Sequence, residues 1–310
     1  MTKIYLDHNI VHYFVRGFPK SYAKGGPAEQ AALVIALKKH PALRFVISAW
    51  NVIESASERL PAAPATELAD RYADFYERLT PLQIPAHDVI EREEMKRCTY
   101  LELGLISTAT EVPVFNEHLS QILALSGIEP LLGYDIRNDL RYLARKPERR
   151  EVFQEAKRTT LRARAELLKA REQGRDRDPQ NRRRILRAWF ARLIPLRGPD
   201  NRVLSAADRE RVLDCLTESP ERVFDKSPAI RTENALTDIR ANMGARKPRP
   251  QDAMDLMHAI VPLAYCDAFV SNDGNVREGA KRTLGETRRP VIVAARLSEA
   301  LDQLRSHAAA

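Results

Sequence analysis

The segment at residues 255–273, DLMHAIVPLAYCDAFVSND, decides the fold class because it combines a helix, a strand and an acidic strand end. Residues 254–265 have helical composition. Ala268-Phe269-Val270 is a short apolar run typical of a buried strand, and it stops at the polar residues Ser271-Asn272-Asp273. A helix that leads directly into a buried strand is typical of an α/β sheet.

The N-terminal part of the chain shows the same alternation. Residues 4–6 and 43–47 predict two buried strands, and the shorter apolar run at 82–84 predicts a third. Residues 290–294 predict a last strand near the C-terminus, and segments of helical composition separate most of these runs. The pattern predicts a three-layer α/β/α fold with a central parallel sheet of about four to five strands.

The alternation is absent from the middle of the chain. Residues 105–245 contain long charged segments of helical composition, interrupted by proline and glycine. We therefore expect an all-helical insertion at 105–245, and a discontinuous α/β domain made of residues 1–104 and 246–310.

The chain is basic, with 50 Lys and Arg against 42 Asp and Glu and a formal net charge of +8. Residues 146–187 carry 15 basic and 7 acidic side chains, so this segment alone has an excess of 8 positive charges. No acids lie near four of its arginines in the sequence, which favours a phosphate-binding arm over a solvated hairpin with internal ion pairs. The predicted nucleic-acid-binding residues are Arg182, Arg183, Arg184 and Arg187.

Cysteine usage and hydropathy bear on the compartment. Cys98, Cys215 and Cys266 are odd in number and form no CxxC pair, which argues against a disulfide framework or a zinc ribbon. No segment reaches the roughly 18 uninterrupted apolar residues that span a bilayer. We expect a cytoplasmic protein without a membrane partner.

Four acids lie at or near the ends of the predicted strands. In parallel α/β sheets, ligands collect outside the carboxyl ends of the strands. Asp7 follows the first strand and Glu54 lies in the helix after the second. Asp255 is expected to begin the helix before the fourth strand, and Asp273 follows that strand. Such an oxygen-rich cluster is suited to Mg²⁺ or Mn²⁺.

The segments Asp7-His8-Asn9, 48–54 and 255–273 resemble those of PIN domain ribonucleases. The resemblance covers roughly residues 1–60 and 250–296. It implies a PIN-like α/β domain whose four acids bind one or two divalent metal ions that activate water for phosphodiester hydrolysis. The metal-binding and catalytic residues that it implies are Asp7, Glu54, Asp255 and Asp273, with Mg²⁺ or Mn²⁺ as cofactor.

Further residues are predicted to support these acids. The resemblance implies that Asn9 and Ser271 hydrogen-bond to them. His258 lies three residues after Asp255 on the same helix, so it can either hydrogen-bond to a carboxylate or pack in the core. Asp252 shares the helix face of Asp255 and is either a fifth acid or the N-cap.

These features favour a divalent-metal-dependent endoribonuclease that acts on single-stranded or structured RNA. All four acids are present, which argues against a catalytically inactive PIN-like module for nucleic-acid or protein binding. A metal-dependent DNA nuclease of the 5′ or flap type is the other alternative, with DNA as partner. A neutralising protein partner and a homodimer are also left open by the sequence.

Overall fold

The computed structural model describes most of the chain. The described residues are 1–19, 25–39, 42–56, 62–79, 81–85, 87–108, 112–115, 136–145, 178–242 and 250–309, together with Arg162, Glu166, Lys169 and Gln173.

A five-stranded sheet, parallel throughout, forms the centre of the molecule in the order β3-β2-β1-β4-β5. The predicted α/β class with a parallel sheet is therefore confirmed. The chain builds outward from β1 through β2 to β3 on one side, and from β4 to β5 on the other, so the topological switch point lies between β1 and β4. The strands are β1 (Thr2–Leu6), β2 (Leu43–Ser48), β3 (Leu82–Ile84), β4 (Ala268–Val270) and β5 (Ile292–Ala294).

Helices connect and flank the strands. None of the described helices is both long enough and apolar enough to cross a membrane. In chain order they are α1 (His8–Arg16), α2 (Gly26–Lys39), α3 (Ala49–Ala56), α4 (Ala62–Leu79), α5 (His87–Glu102), α6 (Ile136–Arg145), α7 (Pro179–Leu193), α8 (Ala206–Glu218), α9 (Glu221–Phe224), α10 (Pro228–Asn242), α11 (Pro250–Tyr265), α12 (Gly274–Thr287) and α13 (Leu297–Ala309).

The two faces of the sheet are each covered by helices. Successive side chains of a strand point to opposite faces. Accordingly, Ile4 and Leu6 pack into a core shared with α1, α2, α4 and α13, whereas Tyr5 packs into a second core shared with α10, α11 and α12. Helices on both faces are consistent with the predicted three-layer arrangement.

A third apolar core lies among the helices away from the sheet. Met95 and Cys98 of α5 pack there with residues of α7, α8 and α9, and Phe190 is fully buried. Helix α10 contributes Ile230 to this third core, and Ala229 and Leu236 to the second core next to the sheet. Helix α5 thus contacts both the sheet layer and the helical region, and the division of the chain at residues 104 and 245 stays a prediction.

The three cysteines are free thiols. This agrees with the expectation from their spacing that they do not form a disulfide framework.

Candidate active site at the carboxyl edge of the sheet

Asp7 lies at the switch point, directly after β1, where it caps the N-terminus of α1. Its carboxylate accepts a hydrogen bond from the His8 backbone N–H at 2.7 Å and another from the Ser271 hydroxyl at 2.7 Å. Burial raises the pKa of Asp7, and the nearby Glu54 raises it further, which outweighs the opposing effects of His258 and these hydrogen bonds. Ionised Asp7 is therefore costly in this position unless a cation lies close to it.

Glu54 of α3 and His258 of α11 approach Asp7 from two other elements. The His258 Nε2 atom is 3.0 Å from a Glu54 carboxylate oxygen, and its Nδ1 atom is 3.9 Å from Oδ1 of Asp7. The imidazole is 3% exposed, whereas the Glu54 side chain is 14% exposed. The structure thus brings Glu54 and Asp7 within 3.9 Å of one buried histidine, and the charge of Asp255 acts on the same side chain.

The hydrogen bonds around Tyr5 define the protonation of His258. The Ser48 hydroxyl donates to Oδ1 of Asn51 at 3.0 Å, so it accepts from the Tyr5 hydroxyl at 2.9 Å. The Tyr5 oxygen then accepts from His258 Nδ1 at 2.8 Å, which leaves Nε2 facing a Glu54 carboxylate oxygen at 3.0 Å. Protonation of Nε2 as well makes His258 an imidazolium between Glu54 and Asp7.

The electrostatic surroundings of His258 agree with this assignment. Burial lowers the pKa of His258, but the negative charges of Glu54, Asp7 and Asp255, together with the hydrogen bond to Glu54, outweigh burial and raise it. The surrounding carboxylates therefore favour the imidazolium form of His258.

Asp255 does not begin its helix, and this expectation was wrong. Helix α11 starts at Pro250, because proline is well suited to the first turn of a helix, so Asp255 lies in the second turn. From there its charge acts on His258, one turn further along the helix. Asp252 lies in the first turn of α11, and its side chain is outside the described part of the structure.

Asp273 lies on the other side of the switch point, after β4. Its Oδ1 atom accepts hydrogen bonds from the backbone N–H groups of Asn275 at 2.7 Å and Val276 at 3.0 Å, which caps α12. The Asp273 N–H donates to the Ser271 hydroxyl oxygen at 3.3 Å. Ser271 therefore connects Asp7 to the segment that carries Asp273.

The predicted supporting residues occupy different positions. Ser271 contacts Asp7 directly, and its carbonyl accepts from Nη1 of Arg277 at 2.8 Å. Asn9, by contrast, is exposed on the first turn of α1. The roles of Tyr5 and Arg277 were missed from the sequence, because a tyrosine inside a strand and an arginine inside a helix carry no signal of their own.

Aromatic residues surround the first turns of α1 beside the acids. The His8 ring stacks on Tyr72 with ring centroids 5.9 Å apart, and His12 Nδ1 is 2.8 Å from the Tyr72 hydroxyl. The Tyr13 hydroxyl accepts from the Asn272 side chain at 2.6 Å. These contacts fix α1 against α4 and against the segment that follows β4.

The chemistry of the donor set fits a divalent cation. Carboxylate oxygens are the ligands that Mg²⁺ and Mn²⁺ prefer, and the buried Asp7 benefits from a nearby positive charge. Among the described residues, however, the group whose ligand atoms lie within 4.8 Å of one another is a different one, His87, Glu91 and Glu233. The spacing of His87 and Glu91 on one helix could have signalled this group, whereas Glu233 could not be placed from the sequence.

The basic cluster of α7 differs from the expectation. Arg183 forms an ion pair with Glu218 at 2.7 Å, and Arg187 pairs with Glu210 and Asp214. The premise that this cluster lacks acidic partners was therefore wrong, because α8 packs against α7 and supplies them. Arg182 and Arg184 are exposed. Most of the preceding basic segment, residues 146–177, lies outside the described residues.

Comparison of the chain with protein-family models, with curated proteins and with solved structures finds no match. Its own fold and site define the class of the protein. It is a doubly wound parallel α/β protein with carboxylates at the switch point of its sheet.

Proposed function

We propose that this protein is a divalent-metal-dependent endoribonuclease that hydrolyses RNA phosphodiester bonds. The observation that carries the proposal is the position of the acids. Asp7 and Asp273 follow the two strands that flank the switch point, and Glu54 reaches Asp7 through the shared His258. The switch point is where open α/β sheets bind their ligands.

In the proposed enzyme, the four acids Asp7, Glu54, Asp255 and Asp273 would hold Mg²⁺ or Mn²⁺. When bound, these ions neutralise the phosphodiester and lower the pKa of water for attack. The remaining residues position the acids: Ser271 holds the Asp7 carboxylate, and His258 holds that of Glu54. Such partners of metal ligands fix the ligand orientation and strengthen binding.

The charge distribution supports a nucleic-acid substrate. The formal net charge is +8, and the exposed Arg182 and Arg184 of α7 are available for phosphate contacts. RNA is the proposed substrate because the segments that carry the acids resemble those of PIN domain ribonucleases. DNA is the alternative substrate for the same chemistry.

One observation favours a second candidate, a catalytically inactive PIN-like module that binds nucleic acid or protein. The His258 imidazolium already balances part of the charge of Glu54 and Asp7 without a metal ion. In such a module the buried cluster would hold α3 and α11 against the sheet and would have no part in hydrolysis.

Cleavage assays separate these functions. Labelled single-stranded RNA, hairpin RNA and DNA of the same sequence are incubated with the protein in Mg²⁺, in Mn²⁺ and in EDTA. The ribonuclease proposal predicts internal cleavage of RNA that requires metal. Cleavage of DNA alone would indicate the DNA nuclease, and salt-dependent RNA binding without cleavage of any substrate would indicate the binding module.

A further inference from the structure

A second group of metal-ligating side chains lies at the outer strand of the sheet, separate from the four acids. His87 begins α5 directly after β3, and Glu91 follows it one turn later. Glu233 comes from a different helix, α10. Each residue offers one ligand atom, and the three atoms lie within 4.8 Å of one another.

This group is closed to solvent. His87 and Glu91 are each 2% exposed, and Glu233 is 5% exposed. The Trp50 ring of α3 stacks on the His87 imidazole, with centroids 6.1 Å apart and an angle of 29° between the planes. The histidine ring therefore has a fixed orientation, as a ligand requires.

Two of the three ligands are buried carboxylates, which a bound cation would stabilise. Burying a carboxylate is costly, and two carboxylates within 4.8 Å of each other raise the cost further. Glu94, one turn after Glu91, is a third buried acid, but it is engaged elsewhere. It accepts hydrogen bonds from the backbone N–H groups of Ala229 at 2.9 Å and Ile230 at 3.0 Å.

We infer that His87, Glu91 and Glu233 bind one divalent transition-metal ion such as Zn²⁺ or Mn²⁺. One imidazole nitrogen with two carboxylates suits these ions better than Mg²⁺ or Ca²⁺, which take oxygen ligands. Because the three ligands are at most 5% exposed, substrate would not reach the ion, and we expect it to be structural. The ion would connect α5, which follows β3, to α10, and so tie the edge of the sheet to the helical region. This inference does not rest on the proposed nuclease function.

The test uses the full chain with Asp7→Asn and Asp273→Asn, so that the four-acid cluster is weakened. Metal-free protein is titrated with Zn²⁺ and Mn²⁺ by calorimetry, and its melting temperature is followed. We expect one equivalent of bound metal and a raised melting temperature. Adding Glu233→Gln, which preserves the side-chain volume, should weaken metal binding by at least about 100-fold. Adding Glu93→Gln, a change on the helix of His87 and Glu91 but outside the group, should leave metal binding unchanged.

A spectroscopic measurement distinguishes the loss of a metal ligand from the loss of folded protein. Co²⁺ bound to the same background gives a visible spectrum that reports on its ligands, and His87→Gln should change that spectrum or abolish it. Unchanged metal stoichiometry, affinity and spectrum in Glu233→Gln and His87→Gln would overturn the inference. Absence of a bound metal equivalent in folded background protein, checked by circular dichroism, would overturn it as well.

Discussion

Two groups of carboxylates with a histidine lie along the same edge of the sheet, and they differ in what their histidine contacts. At the switch point, His258 lies 3.0 Å from Glu54 and 3.9 Å from Asp7, and Tyr5 holds its second nitrogen. At the outer strand, His87 and two glutamates bring their ligand atoms within 4.8 Å of one another. In the first group the carboxylates favour a charged histidine, whereas in the second group the three side chains are spaced as ligands of one metal ion.

The two groups also differ in access to solvent, which separates catalytic from structural sites. The Glu54 side chain is 14% exposed at the switch point, while Glu91 is 2% exposed beneath α10. Catalytic metal sites keep an open position for water or substrate, and structural sites are closed. The proposed hydrolysis therefore belongs to the switch-point group, and the inferred structural ion to the group at β3.

The largest expected effect is on catalysis by the switch-point group. Glu54→Gln should reduce metal-dependent RNA cleavage by about 1000-fold, because bound metal supplies several kcal/mol of charge stabilisation in the transition state. Single-turnover rates in Mn²⁺ measure this loss, with circular dichroism to confirm folding. A rate within about threefold of wild type would remove Glu54 from the site.

The next effect concerns stability in the absence of metal. His258→Gln removes the cation between Glu54 and Asp7 and leaves buried carboxylates facing each other. We expect the free energy of unfolding in EDTA to fall by about 3–5 kcal/mol, as when one partner of a buried ion pair is removed. Urea denaturation measures it.

His12→Gln is the control for that experiment, since the His12 Nδ1 atom lies 2.8 Å from the hydroxyl of Tyr72, a neutral partner. His12→Gln should lower the free energy of unfolding much less than His258→Gln does. Equal losses in the two variants would show that His258 acts through packing and not through its charge.

A third effect tests the acids near β3 through pH. Burial raises the pKa of Glu94 from its ordinary value of 4.5 to about 7, against the lowering effect of its hydrogen bonds. The folded state then binds more protons than the unfolded state, so stability falls as pH rises from 4.5 to about 7. This contribution amounts to about 3 kcal/mol.

Chemical denaturation at pH 4.5, 6 and 8 measures the dependence on pH. Glu94→Gln should remove the part of the decrease that Glu94 contributes, and Glu93→Gln on the same helix should keep it. Asp7 and His258, whose pKa values are also raised, contribute a decrease that both variants retain. An unchanged pH dependence in Glu94→Gln would show that another group titrates.

The smallest effect concerns the basic helix α7. Arg182→Ala and Arg184→Ala should weaken RNA binding and each reduce the slope of log affinity against log salt by about one. Arg183→Ala and Arg187→Ala should have less effect, because the acids of α8 already pair with these two side chains. Fluorescence anisotropy over a series of salt concentrations measures the slopes, and four equal slopes would contradict this difference.

Local sequence patterns were sufficient for the strands and for the acids next to them. An apolar run forms the strand before Asp7 and the strand before Asp273, and each of these acids caps the helix that follows. The positions of both acids therefore follow from neighbouring residues. Contacts between distant segments were not predictable. Glu233 lies close to His87 only because α10 packs on α5. Arg187 pairs with Glu210 and Asp214 only because α8 packs on α7.

The most direct test of this account compares two isosteric changes at opposite edges of the sheet. Asp7→Asn alters the carboxyl edge, and Asp267→Asn alters an acid at the amino end of β4, where it accepts from the Lys3 backbone N–H at 2.7 Å. Cleavage of labelled RNA in Mn²⁺ is measured for both variants and for wild type. Asp7→Asn should lose cleavage by about 1000-fold, while Asp267→Asn should retain it. Full metal-dependent cleavage by folded Asp7→Asn would show that the acids at the switch point do not carry out hydrolysis.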